Sequence, residues 1–430
     1  VKKVVIGLLA AAGLAVAGYF VYTNMVPQHV SPQASTTVST GGPAPQSPQV
    51  ASKRQQLLGR EFRALYITSW TAGISRFPAL IDMAAGSYLN AVVIDIKDST
   101  GRVGYDSKVP LVAQTGAYER RIRDLDAILK YCRDRKIHTI ARIAVFQDPN
   151  LAKARHDLAV GNKGGGAWKD RKGLAWVDPA SKEVWDYNIA IAKEAAARGF
   201  DEVQFDYVRF PTDGKMKTLA YPIYKGDVPK HEVIRSFFQY VDQQMKPVDV
   251  LTSADIFGLT TMVDDDMNIG QRIQDVADYV DYVCPMVYPS HYPRGHLGLK
   301  NPAEHPYLVI YDACLRGMKR LEGKRAKMRP WLQDFKLGAA YDKKMIIEQI
   351  QAARDAGVSG FSMWNARNVY TDAAYLEKLP EPNPNPPLKA QVTEEIRRHD
   401  AARAAMQNRS TVIKQSKPTI HKPRRTPKGA

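Results

Sequence analysis

Three aspartates stand near the ends of short apolar, β-branched runs: Asp206 in EVQFDYVRF (202–210), Asp255 in DVLTSADIF (249–257) and Asp334 in KMRPWLQDF (327–335). Cleaving a glycosidic bond takes two carboxyl groups, one protonating the leaving oxygen and the other acting as nucleophile or base. The three are candidates for these catalytic roles, as are Asp95 and Asp98 at the end of AVVIDIKD (91–98). The ends of the other runs carry groups suited to hold a sugar: Trp70, Asp95, Lys97, Asp98, Arg142, Arg209, Tyr288, His291, Trp331, Gln333, Trp364 and Asn365. Aromatic faces stack on pyranose rings, while amides and charged groups bond the hydroxyls. Along Gln204–Asp206 and Ser253–Asp255 the alternation of a strand turns both carboxylates to one side. Neighbouring strands lie about 4.8 Å apart, which suits the roughly 5–5.5 Å separation of retaining enzymes better than the wider inverting gap.

Residues so placed need a frame that gathers strand ends. From about residue 60 to 380 the chain alternates apolar runs with helical segments. The runs fall at 63–70, 91–97, 138–146, 202–210, 249–257, 279–288, 327–335 and 360–365. Between them lie helices at about 77–87, 122–135, 181–198, 229–245, 303–321 and 343–356, with a short one before Ala277. Eight strands alternating with helices predict an α/β fold, a (β/α)8 TIM barrel whose site lies at the C-terminal strand ends. A doubly wound open sheet is the alternative, but the Gly-rich first turn it needs is missing. Gly164-Gly165-Gly166 has no Lys-Ser/Thr sequel and reads as loop punctuation. Trp168, Trp176 and Trp185 stand equally well for sugar groove and for core.

Around this domain, 59–380, the composition changes. Residues 1–25 carry Lys2 and Lys3 before an uncharged run, 4–22, long enough to cross a membrane as one helix. This predicts a bacterial inner-membrane anchor with the barrel on the extracytoplasmic side. Ala15-Val16-Ala17 offers a cleavage site, so secretion after signal removal is the alternative. Residues 26–58, rich in Pro, Ser and Thr, read as a disordered linker. Residues 381–430 hold a Pro-rich break, a short helix and a basic tail. From Lys389 onward eleven Lys/Arg face Glu394, Glu395 and Asp400 within a chain of net charge +17. Such a tail suits an anionic envelope polymer or lipid rather than a specific nucleic acid. Three scattered cysteines exclude a disulfide framework, and neither a metal nor a cofactor is expected.

Several blocks carry a family resemblance. Residues 199–211 resemble the fourth-strand motif of chitinase-type barrels, Met286-Val287-Tyr288 resembles their sixth-strand motif, and Trp364 stands where they place an eighth-strand tryptophan. No glutamate follows Asp206, so their acid is not carried over. Asp206, Asp255 and Asp334 sit on strands four, five and seven, as in amylase-type barrels, with an aspartate where those have a glutamate. The segments 91–98, 201–211, 254–258, 284–292 and 329–335 are similar to a bacterial family of glycoside-hydrolase-type barrels, across about residues 60–380. That resemblance implies a glycosidase acting on an envelope or extracellular polysaccharide. A non-catalytic saccharide-binding barrel is the alternative.

Overall fold

The structure is a computed structural model, and it describes residues 52–386, 389–394, 397–398 and 401. The expected anchor at 4–22 and most of the expected linker and basic tail lie outside the described residues. Among the described residues no helix is long and apolar enough to cross a membrane.

Eight parallel strand positions form the frame: β1 (Phe62–Ile67), β2 (Ala91–Lys97), β3 (His138–Ala144), β4 (Glu202–Asp206), β5 (Leu251–Phe257), β6 (Tyr282–Met286), β7 (split into Lys327–Met328 and Trp331–Gln333) and β8 (Gly360–Trp364). Each pairs with the next, β8 returns to β1, and both halves of β7 reach β6, so the sheet closes. The fold is a TIM barrel. Pro330 has no N–H to give the ladder, and it sits at the break in β7.

Alternation sorts every strand into two faces. Outward side chains such as Leu65, Val92, Ala141, Val203 and Ala254 pack into the main core beneath the helices. Inward ones such as Ala64, Tyr66, Val93, Ile140, Leu251, Cys284 and Trp331 form a separate cluster that fills the barrel. Close packing between strands is enforced at Gly360, where φ is +97° and an added Cβ would lie 2.0 Å from the Phe62 carbonyl oxygen.

Several strands end sooner than the apolar runs suggest, β1 and β4 most of all. The β1 strand stops at Ile67 because Thr68 caps a short helix, Ser69–Ala72, its hydroxyl accepting the Thr71 amide at 3.1 Å. The β4 strand stops at Asp206 because Tyr207 turns to φ +54°. The predicted linker also ends early. Ser52 and Gln55 form a capping box on the helix Lys53–Leu57, and the Asp249 carboxylate accepts the Lys53 and Arg54 amides at 2.7 and 3.0 Å. Lys53 pairs with Asp201 at 2.7 Å and Arg54 with Asp281 at 2.5 Å. Those three aspartates stand just before β4, β5 and β6, so the helix is clamped to the N-terminal end of the barrel strands.

Candidate active site

The centre of the barrel mouth is Arg142, in the middle of β3, where it is buried and faces inward. In register it lies opposite Asp95 on β2, and two residues further on Ala144 lies opposite Asp206 on β4. Its guanidinium joins three carboxylates: Nη1 donates to Asp95 at 2.5 Å, Nη2 donates to Asp206, and Nε donates to Asp255 at 3.3 Å. One cation thus stands among three carboxyl groups with 5% of their side-chain surface or a little more exposed at most. Asp206 and Asp255 occupy neighbouring strands one step beyond the Phe205–Ala254 register pair.

The other oxygens of the trio are also engaged. Tyr66 on β1 donates its hydroxyl to Asp95 at 2.5 Å. Trp331 on β7 donates its indole N–H to Asp255 at 2.6 Å, and the Tyr207 amide donates to Asp206 at 2.5 Å. Burial, and then the charge of Asp206, raise the Asp255 pKa well above the usual carboxylate range, while Arg142 and Trp331 oppose the shift. Asp95 is raised too, by burial against the pull of Arg142 and Tyr66. Carboxylates crowded around one cation in a buried site behave this way, since the last negative charge is the hardest to hold.

Aromatic rings wall the mouth. Tyr66 stacks on Trp364 of β8 with centroids 3.9 Å apart, and Trp331 meets Trp364 edge-on at 5.5 Å. Arg142 lies 5.1 Å from the Trp364 ring centre. Trp364 is half-buried, which leaves ring surface for a sugar. Tyr288, after β6, is buried against Phe335 at 5.5 Å, and burial followed by the charges of Asp255 and Asp206 raises its pKa well above the ordinary phenol value.

The remaining predicted residues sit elsewhere. Both oxygens of Asp334 are used by Thr371, through its amide and hydroxyl at 2.9 and 2.8 Å, and by the Tyr375 hydroxyl at 2.5 Å. Asp334 thereby fastens the loop after β8. Gln333 accepts the Ser290 hydroxyl at 2.8 Å and donates to the Phe335 carbonyl at 2.9 Å, and Asn365 donates to the carbonyls of Asp334 and Val369 at 2.5 and 2.6 Å. His291 is exposed and contacts the Ser290 hydroxyl at 3.0 Å. Lys97 is fully buried in an ion pair with Asp148 at 2.8 Å; the strand register shifts between Asp95 and Lys97, and the ammonium lies 5.5 Å from the ring centre of Tyr187 on the helix Lys182–Arg198. Asp98 pairs with Arg121 at 2.5 Å. Trp70 is 55% exposed beneath the Arg121 guanidinium, whose carbon lies 4.6 Å from the ring centre. Arg209 packs among Trp176, Tyr207 and Phe257 beside the mouth.

Tyr66, which bonds Asp95 at the mouth, was missed in the sequence. Counting inward positions by twos from Ala64 points to it, but a run extended to Trp70 draws attention past it. A second inward layer, nearer the base, was missed as well. Glu202 receives two hydrogen bonds from Arg329, one of them at 2.9 Å, and the pair is completely buried with Ser253 and His138 around it.

A closed parallel barrel with paired carboxylates and aromatic walls at its C-terminal mouth is the frame of a glycoside hydrolase. Residues 64–370 match the family described as "putative glycosyl hydrolase domain", and the chain belongs to it. A crystal structure of a hypothetical protein from Ruminiclostridium thermocellum is 42% identical over 44% of this chain and 96% of its own, with a TM-score of 0.41. The glycoside hydrolase domain of PgaB (BpsB) from Bordetella bronchiseptica shares the fold, with a TM-score of 0.54 and 12% identity over 74% of this chain and 99% of its own. The alpha-L-fucosidase isoenzyme 2 of Paenibacillus thiaminolyticus is similar over 74% of this chain and 48% of its own, with a TM-score of 0.51 and 12% identity. No curated protein matches the chain.

Proposed function

We propose that this glycoside hydrolase is a retaining enzyme of the exported side of the bacterial inner membrane, cutting a cell-envelope or extracellular polysaccharide. The observation that carries the reading is the unequal pair on β4 and β5. Asp255 is buried and inclined to keep its proton, and Asp206 stands on the neighbouring strand, held by the Arg142 guanidinium and the Tyr207 amide. Asp206 attacks the anomeric carbon as the glycosidic C–O bond breaks, and Asp255 delivers its proton to the departing oxygen. Asp255 then takes a proton from water, which displaces Asp206 and restores both groups. Trp364, backed by Tyr66, supplies the stacking surface, and Arg142 orients all three carboxyl groups.

A non-catalytic saccharide-binding barrel is the second reading. It is favoured by the four donors that already occupy all four oxygens of the pair. One experiment separates the two. Asp206→Asn keeps the shape but removes the nucleophile, and turnover of an aryl glycoside should fall at least about 1,000-fold with thermal stability little changed. Asp255→Asn should lose less with a good leaving group, and added azide should restore it with retained configuration. A wild-type protein that binds glycans and cuts none, or an active Asp206→Asn, would overturn the catalytic reading.

A further inference from the structure

Four arginines are buried in and around the barrel: Arg121, Arg142, Arg209 and Arg329. Three are neutralised at contact distance, Arg121 by Asp98 and Glu119, Arg142 by its three aspartates and Arg329 by Glu202. Arg209 is not. Its Nη1 donates to the Phe210 carbonyl at 3.3 Å and to the Thr212 hydroxyl at 3.2 Å. Among the described residues no carboxylate comes within ion-pair distance, and Asp206, Asp213 and Asp170 act on it only from further off. Three rings hold it in place, with the guanidinium carbon 4.7 Å from the centre of Trp176, 4.8 Å from Phe257 and 5.4 Å from Tyr207. Among the described residues the Nε and Nη2 atoms have no hydrogen-bond partner, and 9% of the residue is exposed. A guanidinium stays charged even when desolvated, and burying it without a counter-ion is costly unless something else supplies one.

Arg209 follows Asp206 by three residues, so this free cation stands at the edge of the catalytic mouth. It belongs to a lobe formed by the long excursions after β3 and β4, which are joined where Gly161–Asn162 pairs antiparallel with Leu219–Ala220. A groove of about 830 Å³ in that lobe is lined by Lys163, Lys169, Arg171, Lys215 and Lys217 against Asp170. The groove is held narrow at its root, where the Trp168 indole donates to the Lys215 carbonyl at 3.1 Å and Gly214 leaves a Cβ only 2.8 Å from that ring. Two independent features of one lobe thus present positive charge that the protein does not answer.

We propose that the saccharide is anionic, with Arg209 gripping the acidic substituent of a sugar unit beside the bond to be cut and the basic groove receiving charges further along the polymer. This rests on the glycosidase reading for the place of cleavage, but not for the charge preference itself. The planar fork of Arg209, steadied by Trp176, offers two parallel N–H groups to a carboxylate, sulfate or phosphate ester.

The test uses the full chain carrying Asp206→Asn, so that polymer is not consumed. Binding is measured to polygalacturonate, hyaluronan and dermatan sulfate, each against its carboxyl-reduced and desulfated neutral counterpart. At least one acidic polymer should bind at least about tenfold more tightly than its neutral form, the size of one charge-assisted hydrogen-bonded contact or more. Adding Arg209→Met should bring that ratio to within about threefold of one, and Arg209→Lys should keep part of it, since the charge survives but the fork does not. Should the Met variant fail to fold, the Lys variant carries the test through a ratio lowered at least about threefold. Equal binding of every pair, no binding to any polymer, or an acid preference that survives Arg209→Met and disappears only when residues 389–430 are removed would each overturn the proposal. A preference that follows Arg209 in a wild-type protein that cuts none of the polymers sinks the glycosidase reading and leaves this one standing. Cleavage of neutral and acidic forms alike does the reverse.

Discussion

The sharing of Arg142 by Asp95, Asp206 and Asp255 decides how each carboxyl group behaves. A lone buried aspartate beside an arginine would be held as the anion. Here burial and the charge of Asp206 outweigh the arginine, so Asp255 keeps its proton well above the ordinary range. The sign fixes the pH dependence. Below its unfolded value Asp255 is protonated in both states and its contribution to stability is complete. As pH rises toward the raised folded value that contribution is lost, because the unfolded chain releases the proton more readily. Activity should follow the same proton. The kcat/KM of the wild type on an aryl glycoside should fall on an alkaline limb set by Asp255, and Asp255→Asn should have no such limb. A limb that persists unchanged in the variant would assign it to another group.

At the scale of strands, the strip of inward residues on β4 divides its work by depth: Glu202 at the base, Gln204 in the middle, Asp206 at the mouth. The base is structural. Burial opposes ionisation of Glu202, but Arg329 and His138 overcome it and hold the pKa at about 2. Stability from this group is therefore present above its unfolded value of about 4.5 and is lost as pH falls through about 2. Glu202→Gln strands the Arg329 charge in the barrel and should cost about 3–5 kcal/mol, measured by urea unfolding at neutral pH. A loss below about 1 kcal/mol would mean the ion pair is replaceable at little cost. Much of this layout was legible in the sequence. The β2 strand begins and ends where its apolar run does, and alternation alone set Asp206 and Asp255 on the inward face. What could not be read were the features that need a closed barrel. Nothing in the order of residues says that Arg142 meets carboxylates from β2, β4 and β5, or that Tyr66 lies against Trp364 across the β8–β1 closure. The positive φ of Tyr207 was equally hidden, because a tyrosine gives no sign of a turn that glycine would have announced.

For the molecule as a whole, the net charge of +17 is concentrated where an acidic polymer or anionic lipid could meet it, in the lobe beside the mouth and in the chain beyond Lys389. The apolar run at 4–22 and the basic tail would hold a membrane by different forces, and washing distinguishes them. Concentrated salt screens a tail but leaves an inserted helix in place. The full-length protein should stay with membranes through a salt wash and leave them in detergent. Release by salt alone, or a mature form starting at Gly18, would remove the anchor from the account.

The helix Lys53–Leu57 gives that arrangement a direction. Its grip on Asp201, Asp249 and Asp281 lies at the roots of three strands, whereas Asp206 and Asp255 stand at the opposite ends of two of them. A chain arriving at Ser52 therefore meets the barrel at its closed base. A pull on that helix would be borne by Asp201, Asp249 and Asp281 at the strand roots, at the far end of the barrel from the carboxylates that share Arg142.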